Sequence, residues 1–102
     1  ARIALHERFS TNPYGWQRWI FDHLALRPDS RVLELGCGPG LLWVENLHRI
    51  PAACQITLTD FSPGMIAEAQ RNLSRSRHNF RFEVVDAQSI PYEAGSFDVV
   101  IA

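Results

Sequence analysis

Apolar and polar positions change period several times along these 102 residues, and each change marks an element. Residues 16–26 place Trp16, Trp19, Ile20, Phe21 and Leu24 at helical spacing, and Pro28 stands where such a helix must stop. Residues 31–35 form a short apolar strand. A second helix is predicted from Pro39-Gly40 to about residue 49, with Leu41, Val44 and Leu47 inward and Pro51 beyond it. Residues 55–60 (QITLTD) alternate, with Ile56 and Leu58 on one face, and read as a second strand. Ser62-Pro63 then starts a helix: the serine hydroxyl accepts from first-turn amides, and proline at the first helical position has no amide to leave unpaired. Met65, Ile66, Ala69 and Leu73 are its inward stripe. Residues 80–85 and 97–101 read as third and fourth strands, separated by a loop over 87–96 with at most one helical turn.

Strands alternating with helices imply right-handed crossovers and a mainly parallel sheet, so the fold class is α/β. No repeat, low-complexity run or linker divides the chain. Composition changes this picture little. The chain is 46% hydrophobic and 21% charged, with a net charge of −1 and a pI near 6.5. That balance supplies no basic footprint for nucleic acid and none for an anionic membrane surface. No apolar run approaches the ~20 residues that cross a bilayer, and ARIALHERFS lacks the pattern of a signal peptide. Cys37 and Cys54 are too few and too far apart for a disulfide framework or a metal cluster, so a reducing, cytoplasmic setting is expected. The chain stops inside its last strand, which suggests a fragment of a longer protein whose bare edge pairs with another copy.

In a sheet of this kind, ligands bind beyond the carboxyl ends of the strands. Three such ends carry candidate chemistry: residues 34–40 (ELGCGPG), Asp60 and Asp86. Gly36, Gly38 and Gly40 let a ligand lie against the backbone, and the helix that follows points amides towards it. A tight strand–helix connection without a ligand would ask for the same glycines. Asp60 stands 24 positions after Gly36, where an acid accepts from two ribose hydroxyls, although it could also cap the next helix. Phe61 can lay its ring on an adenine. Asp86 can accept from the adenine amino group while the Ala87 amide donates to a ring nitrogen, or it simply ends a strand. The dinucleotide fingerprint G-x-G-x-x-G is missed, because its third glycine falls at Leu41. Glu34 would also repel a pyrophosphate, whereas a ligand with an ammonium or sulfonium group tolerates it. Glu34 could instead pair with a basic residue. Cys37 has no assignable activating partner and reads as a small turn residue rather than a nucleophile. His6, His23, His48 and His78 share no motif, and no metal site is expected.

ELGCGPG, then LTDFSPGMIAEA, then VVDAQSIPYEAGSFDVVIA together resemble the first half of a class I S-adenosylmethionine-dependent methyltransferase. Within it, the chain is most similar to the small-molecule group that includes the ubiquinone/menaquinone-biosynthesis type. The matching motifs run over residues 31–102. The resemblance implies a Rossmann-like sheet with flanking helices, of which the first four of seven strands, in the family order 3-2-1-4-5-7-6, are present. It divides the chain into an N-terminal helical segment (1–29) and an incomplete cofactor-binding half (30–102). It implies S-adenosyl-L-methionine as cofactor and a small-molecule methyl acceptor. Glu34, Gly36, Cys37, Gly38 and Gly40 would hold the methionine part, Asp60 the ribose, Phe61 and Met65 the adenine, and Asp86 and Ala87 its edge. Phe9, Tyr14 or Arg18 would fold over the cofactor, or have a plain packing role instead. No residue is assignable as a catalytic base. Two rival readings stay open, an NAD-type oxidoreductase half-domain and a catalytically silent nucleotide-binding or interaction module.

Overall fold

The computed structural model describes residues 2–3 and 15–102. Along the chain these give strand β1 (Arg2–Ile3), helix α1 (Trp16–Asp22), strand β2 (Arg31–Leu35) and helix α2 (Leu41–Val44). A 3-10 turn (Leu47–Arg49), strand β3 (Gln55–Asp60), helix α3 (Pro63–Asn72) and strands β4 (Asn79–Val84) and β5 (Val99–Ile101) follow. One five-stranded sheet has the order β1-β5-β2-β3-β4, and every pair in it is parallel. From β2 the chain steps outward through β3 to β4, then returns to the other side of β2 as β5. The carboxyl ends of β2 and β5 therefore flank the point where strand order reverses, the place a parallel sheet opens to a ligand.

Register decides which side chains reach the core. Val32 lies beside Ile56 and Val99, and Ile56 beside Phe80, while Glu34 lies beside Leu58 and Ile101. Ile20, Phe21, Leu24, Leu42, Trp43, Ile66, Ala69 and Leu73 close over that face, so residues 20–24 share one core with the sheet. Each leucine, isoleucine and phenylalanine among them contributes roughly 1.5–3 kcal/mol through burial. Trp43 is fully buried and meets Phe21 and Phe80 edge-on. Glu34 is the one acid in this apolar face of β2.

Strands β2 and β3 span the residues expected of them. Ser62 caps α3 as expected, its Oγ accepting from the Met65 N–H at 3.2 Å with Pro63 beginning the helix. The first two helices are shorter than their patterns predict. Helix α1 ends at Asp22 because the His23 ring bonds the Trp19 carbonyl at 2.7 Å and Ala25 turns the chain at φ 51°. Helix α2 is a single turn. The buried Asn46 side chain donates to the Leu42 carbonyl at 2.7 Å and to the Gln17 carbonyl at 3.2 Å, replacing the amide that would continue the helix. The inward positions shift accordingly: Leu42 and Trp43 are buried, whereas Leu41 is exposed.

The expected bare last strand is not found. Strand β1 lies parallel along β5, with Arg2 beside Val100 and Ile3 beside Ile101, so β5 has a neighbour on each side. Self-association through an exposed last strand loses its basis, because the backbone groups it needs are already paired. A two-residue strand has no period to read, which is why the sequence pattern does not reveal β1. His6, Phe9 and Tyr14 lie outside the described residues; Arg18 is on the exposed side of α1. Among the described residues, no helix is long and apolar enough to cross a membrane.

Candidate functional site

The turn after β2 separates its three glycines into two kinds. Gly36 and Gly38 hold φ of 72° and 56°, and a β-carbon on either would meet nothing within 4 Å. Gly40, at φ 81°, would place a β-carbon 3.4 Å from both Ala69 Cβ and Leu73 Cδ1. The first two therefore border open space, and the third faces the side chains of Ala69 and Leu73. Left-handed backbone at these positions excludes most other residues.

Strand β3 and helix α3 hold this turn in place. The Cys37 N–H donates to the Thr59 carbonyl at 2.9 Å, and the Thr59 hydroxyl donates to the Glu34 carbonyl at 2.7 Å. The Gly38 N–H donates to Asp60 Oδ2 and the Ser62 N–H to Asp60 Oδ1, both at 2.9 Å. Asn72 reaches back from α3 to the Pro39 carbonyl at 2.9 Å. Asp60 thus bridges the ends of β2 and β3, and it does not cap α3, because Ser62 does. A carboxylate has about four acceptor positions, so two remain for a ligand. Beside it, Phe61 is 73% exposed, an aromatic ring with almost no protein against it, and Met65 is half-buried.

Glu34 lies beneath the turn rather than on its rim. It is 4% exposed, and its Oε1 accepts from the Trp43 indole N–H at 2.9 Å. Its partner is thus an indole rather than a basic side chain. Burial, opposed by the Trp43 bond and reinforced by the Asp60 charge, pushes the Glu34 carboxyl up to about 7. Cys37 is buried too, and burial, with Glu34 and Asp60 adding to it, pushes the thiol up to about 12. A thiol so hard to ionise is no nucleophile.

Past β4, Asp86 and Ala87 are exposed at the start of a loop with local bonds only: Asp86 Oδ1 accepts from the Gln88 N–H, and the Asp86 carbonyl from the Ser89 N–H, both at 2.9 Å. An open groove of about 640 Å³ runs from Leu35 and Gly36 to Ala87, Ile90, Phe97 and Val100. The structure therefore gathers Gly38, Asp60 and Phe61 on one side and Gly36 and Ala87 on the other, with Glu34, the Cys37 side chain and Gly40 beneath. Trp43, Thr59 and Asn72 support the turn and carry no sequence signal for that role.

An open parallel sheet with a glycine turn at its switch point and an acid closing the next strand defines the class of α/β domains that bind nucleoside-containing cofactors. A family model described as a methyltransferase domain matches residues 32–102, and the chain belongs to that family. The ubiquinone/menaquinone biosynthesis C-methyltransferase UbiE of Geobacter sp. (strain M21) is 34% identical over 85 residues, covering 81% of this chain and 36% of that protein. The solved structure of the [4+2]-cyclase SpnF has a TM-score of 0.72 at 29% identity, covering 82% of this chain and 31% of that one. A geranyl diphosphate methyltransferase solved with SAM has a TM-score of 0.69 at 21% identity, covering 82% of this chain and 34% of that one, and shows the shared fold. The chain spans about a third of the length of these relatives. The family match gives the oxidoreductase reading no support.

Proposed function

We propose that residues 30–102 are the S-adenosylmethionine-binding half of a methyltransferase acting on a small molecule, with 1–29 as an N-terminal helical segment. The observation that carries this reading is the pair of open glycines, Gly36 and Gly38, tied to Asp60 beside the uncovered ring of Phe61. Space where two β-carbons would stand, an acid with free acceptor positions and an exposed aromatic ring fit an amino-acid end, a ribose and an adenine in that order. The turn at Gly36, Cys37 and Gly38 would grip the methionine part through its backbone, with Glu34 beneath it. Gly40 serves by packing the turn on α3. Asp60 would accept from the ribose hydroxyls in charge-assisted bonds. Phe61 and Met65 would border the adenine, and Asp86 and Ala87 would meet its edge.

The cofactor supplies an electrophilic sulfonium methyl. The chain's own share is to fix that methyl at the switch point and keep water from it, since displacement at carbon depends on alignment. The groove beside Gly36 and Ala87 is where an acceptor would approach. Among the described residues no side chain is placed to act as a base, and carbon, oxygen and nitrogen acceptors share this half of the fold. A cytoplasmic setting belongs to the same reading, supported by two cysteines that are both free and buried. The SpnF neighbour favours one alternative, a cofactor-binding domain whose catalysis is not methyl transfer.

Calorimetric titration tests the reading. S-adenosylhomocysteine is expected to bind and NAD is not. Asp60→Ala is expected to weaken the former by at least about a hundredfold, from two charge-assisted hydrogen bonds of about 1.5–3 kcal/mol each. Binding of NAD alone, or an affinity unchanged in Asp60→Ala, overturns the assignment.

A further inference from the structure

Trp43 stands in the core, and its packing against Phe21 and Phe80 accounts for a large aromatic there. It does not account for the indole N–H. That group meets Glu34 Oε1 at 2.9 Å, with Trp43 fully buried and Glu34 only 4% exposed. An acid in the apolar face of a core strand is costly unless something holds it, and phenylalanine or leucine would fill this volume without holding anything. The bond joins the strand that ends in the glycine turn to the helix that begins after it.

We infer that Trp43 is a positioning residue: its N–H holds the Glu34 carboxylate in one orientation beneath the glycine turn and so sets how strongly that turn grips a cationic ligand group. The inference rests on the proposal that an ammonium-bearing ligand end lies at the turn. The groups that act on Glu34 are the Trp43 N–H from α2 and the Asp60 carboxylate from β3, and Glu34 in turn acts on the Cys37 thiol in the turn. A single acceptor bond from Trp43 fixes the carboxylate without neutralising it, so the carboxylate stays available to a cation. Burial otherwise favours the protonated form, which would offer a cation nothing, and the Trp43 N–H opposes that.

The sign of the pH dependence follows. With Glu34 raised to about 7, binding of a cation at the turn must release a proton below that pH. Affinity is then lost by roughly tenfold per pH unit on the acid side and is level above the midpoint. Folding runs the other way. Between the ordinary value of 4.5 and about 7 the folded chain binds more protons than the unfolded one, so stability falls as pH rises through that window.

Two measurements decide the matter, and the first needs no ligand. In 15N-labelled wild-type protein, the Trp43 indole N–H resonance is expected to titrate with a midpoint near 7, and to stop titrating in Glu34→Gln, whose amide oxygen still accepts the bond. An indole N–H resonance identical in wild type and Glu34→Gln at every pH from about 5 to about 8.5 overturns the inference whatever the ligand does. The second is S-adenosylhomocysteine titration across the same range. Trp43→Phe is expected to move the affinity midpoint upward and weaken binding at pH 7 by about tenfold, whereas Glu34→Gln is expected to bind weakly and without pH dependence. Should Trp43→Phe fail to fold, the thermal stability of wild type and Glu34→Gln against pH replaces it. Wild type is expected to lose stability between about pH 5 and about pH 7.5 and the variant is not, and parallel curves overturn the inference. If S-adenosylhomocysteine binds wild type and Trp43→Phe alike at every pH, the positioning role fails while the cofactor reading stands. If the indole titrates as expected and no S-adenosylhomocysteine binds, the cofactor reading fails instead.

Discussion

The two sides of the crevice are built differently. Where β2 and β3 end, five hydrogen bonds cross between the turn, the strand and α3, through Cys37, Gly38, Glu34, Pro39, Thr59, Asp60, Ser62 and Asn72. Where β4 gives way to the loop towards β5, Asp86 bonds only amides two and three residues on, and residues 86–91 are all exposed. The first side arrives at a ligand already shaped. The second has few such braces of its own, and any ordering of it on a ligand would draw on binding energy. Affinity on this crevice should therefore reside in the cross-braced side, and adaptation to different acceptors in the loop.

Substitutions at the glycines separate grip from packing most sharply. Gly38→Ala puts a methyl group into the open space at φ 56°, so stability should drop by only about 1 kcal/mol while affinity for S-adenosylhomocysteine falls by roughly a hundredfold, about 3 kcal/mol. Gly40→Ala places its methyl group against Ala69 and Leu73 instead, at φ 81°. It should cost about 1–2 kcal/mol of stability in a denaturant melt and leave affinity within about twofold. Equal losses of affinity in the two variants would erase the distinction.

Phe61→Ala comes next. An exposed ring contributes little to folding, so the melting temperature should hold. Loss of base stacking is worth about 1–3 kcal/mol, of order tenfold in calorimetric affinity. Adenosine alone should show the same ratio between wild type and variant. A ratio near one would place the nucleoside elsewhere.

What the sequence discloses follows the same division. The strand Gln55–Asp60, the Ser62 cap and the glycine turn are legible because alternation, a hydroxyl before proline and glycine spacing act within a few residues. Asp60 is legible as an acid at a strand end. Its bond to Gly38 is not, because it spans 22 positions and depends on β2 and β3 being neighbours in register. Trp43 and Glu34 stand nine positions apart, and an α2 running to residue 49 would have faced Leu41 and Val44 inward instead. What breaks that helix is the Asn46 side chain on Gln17 and Leu42, a tertiary contact that outweighs helical propensity.

Asp86→Ala probes the loosely held side, where the smallest effect is expected. The side chain is exposed and accepts locally from the Gln88 amide, so stability should change by no more than about 0.5 kcal/mol. One hydrogen bond to adenine would add about 1 kcal/mol, a severalfold loss of S-adenosylhomocysteine affinity against the hundredfold expected at Asp60. Asp86→Asn keeps an oxygen for Gln88 and removes the charge, so the two variants divide the loss between turn geometry and electrostatics. Titration of both beside Asp60→Ala orders the three. A loss at Asp86 that matches the loss at Asp60 would mean the loop is as well shaped for the cofactor as the braced turn, and the contrast between the two sides would fall.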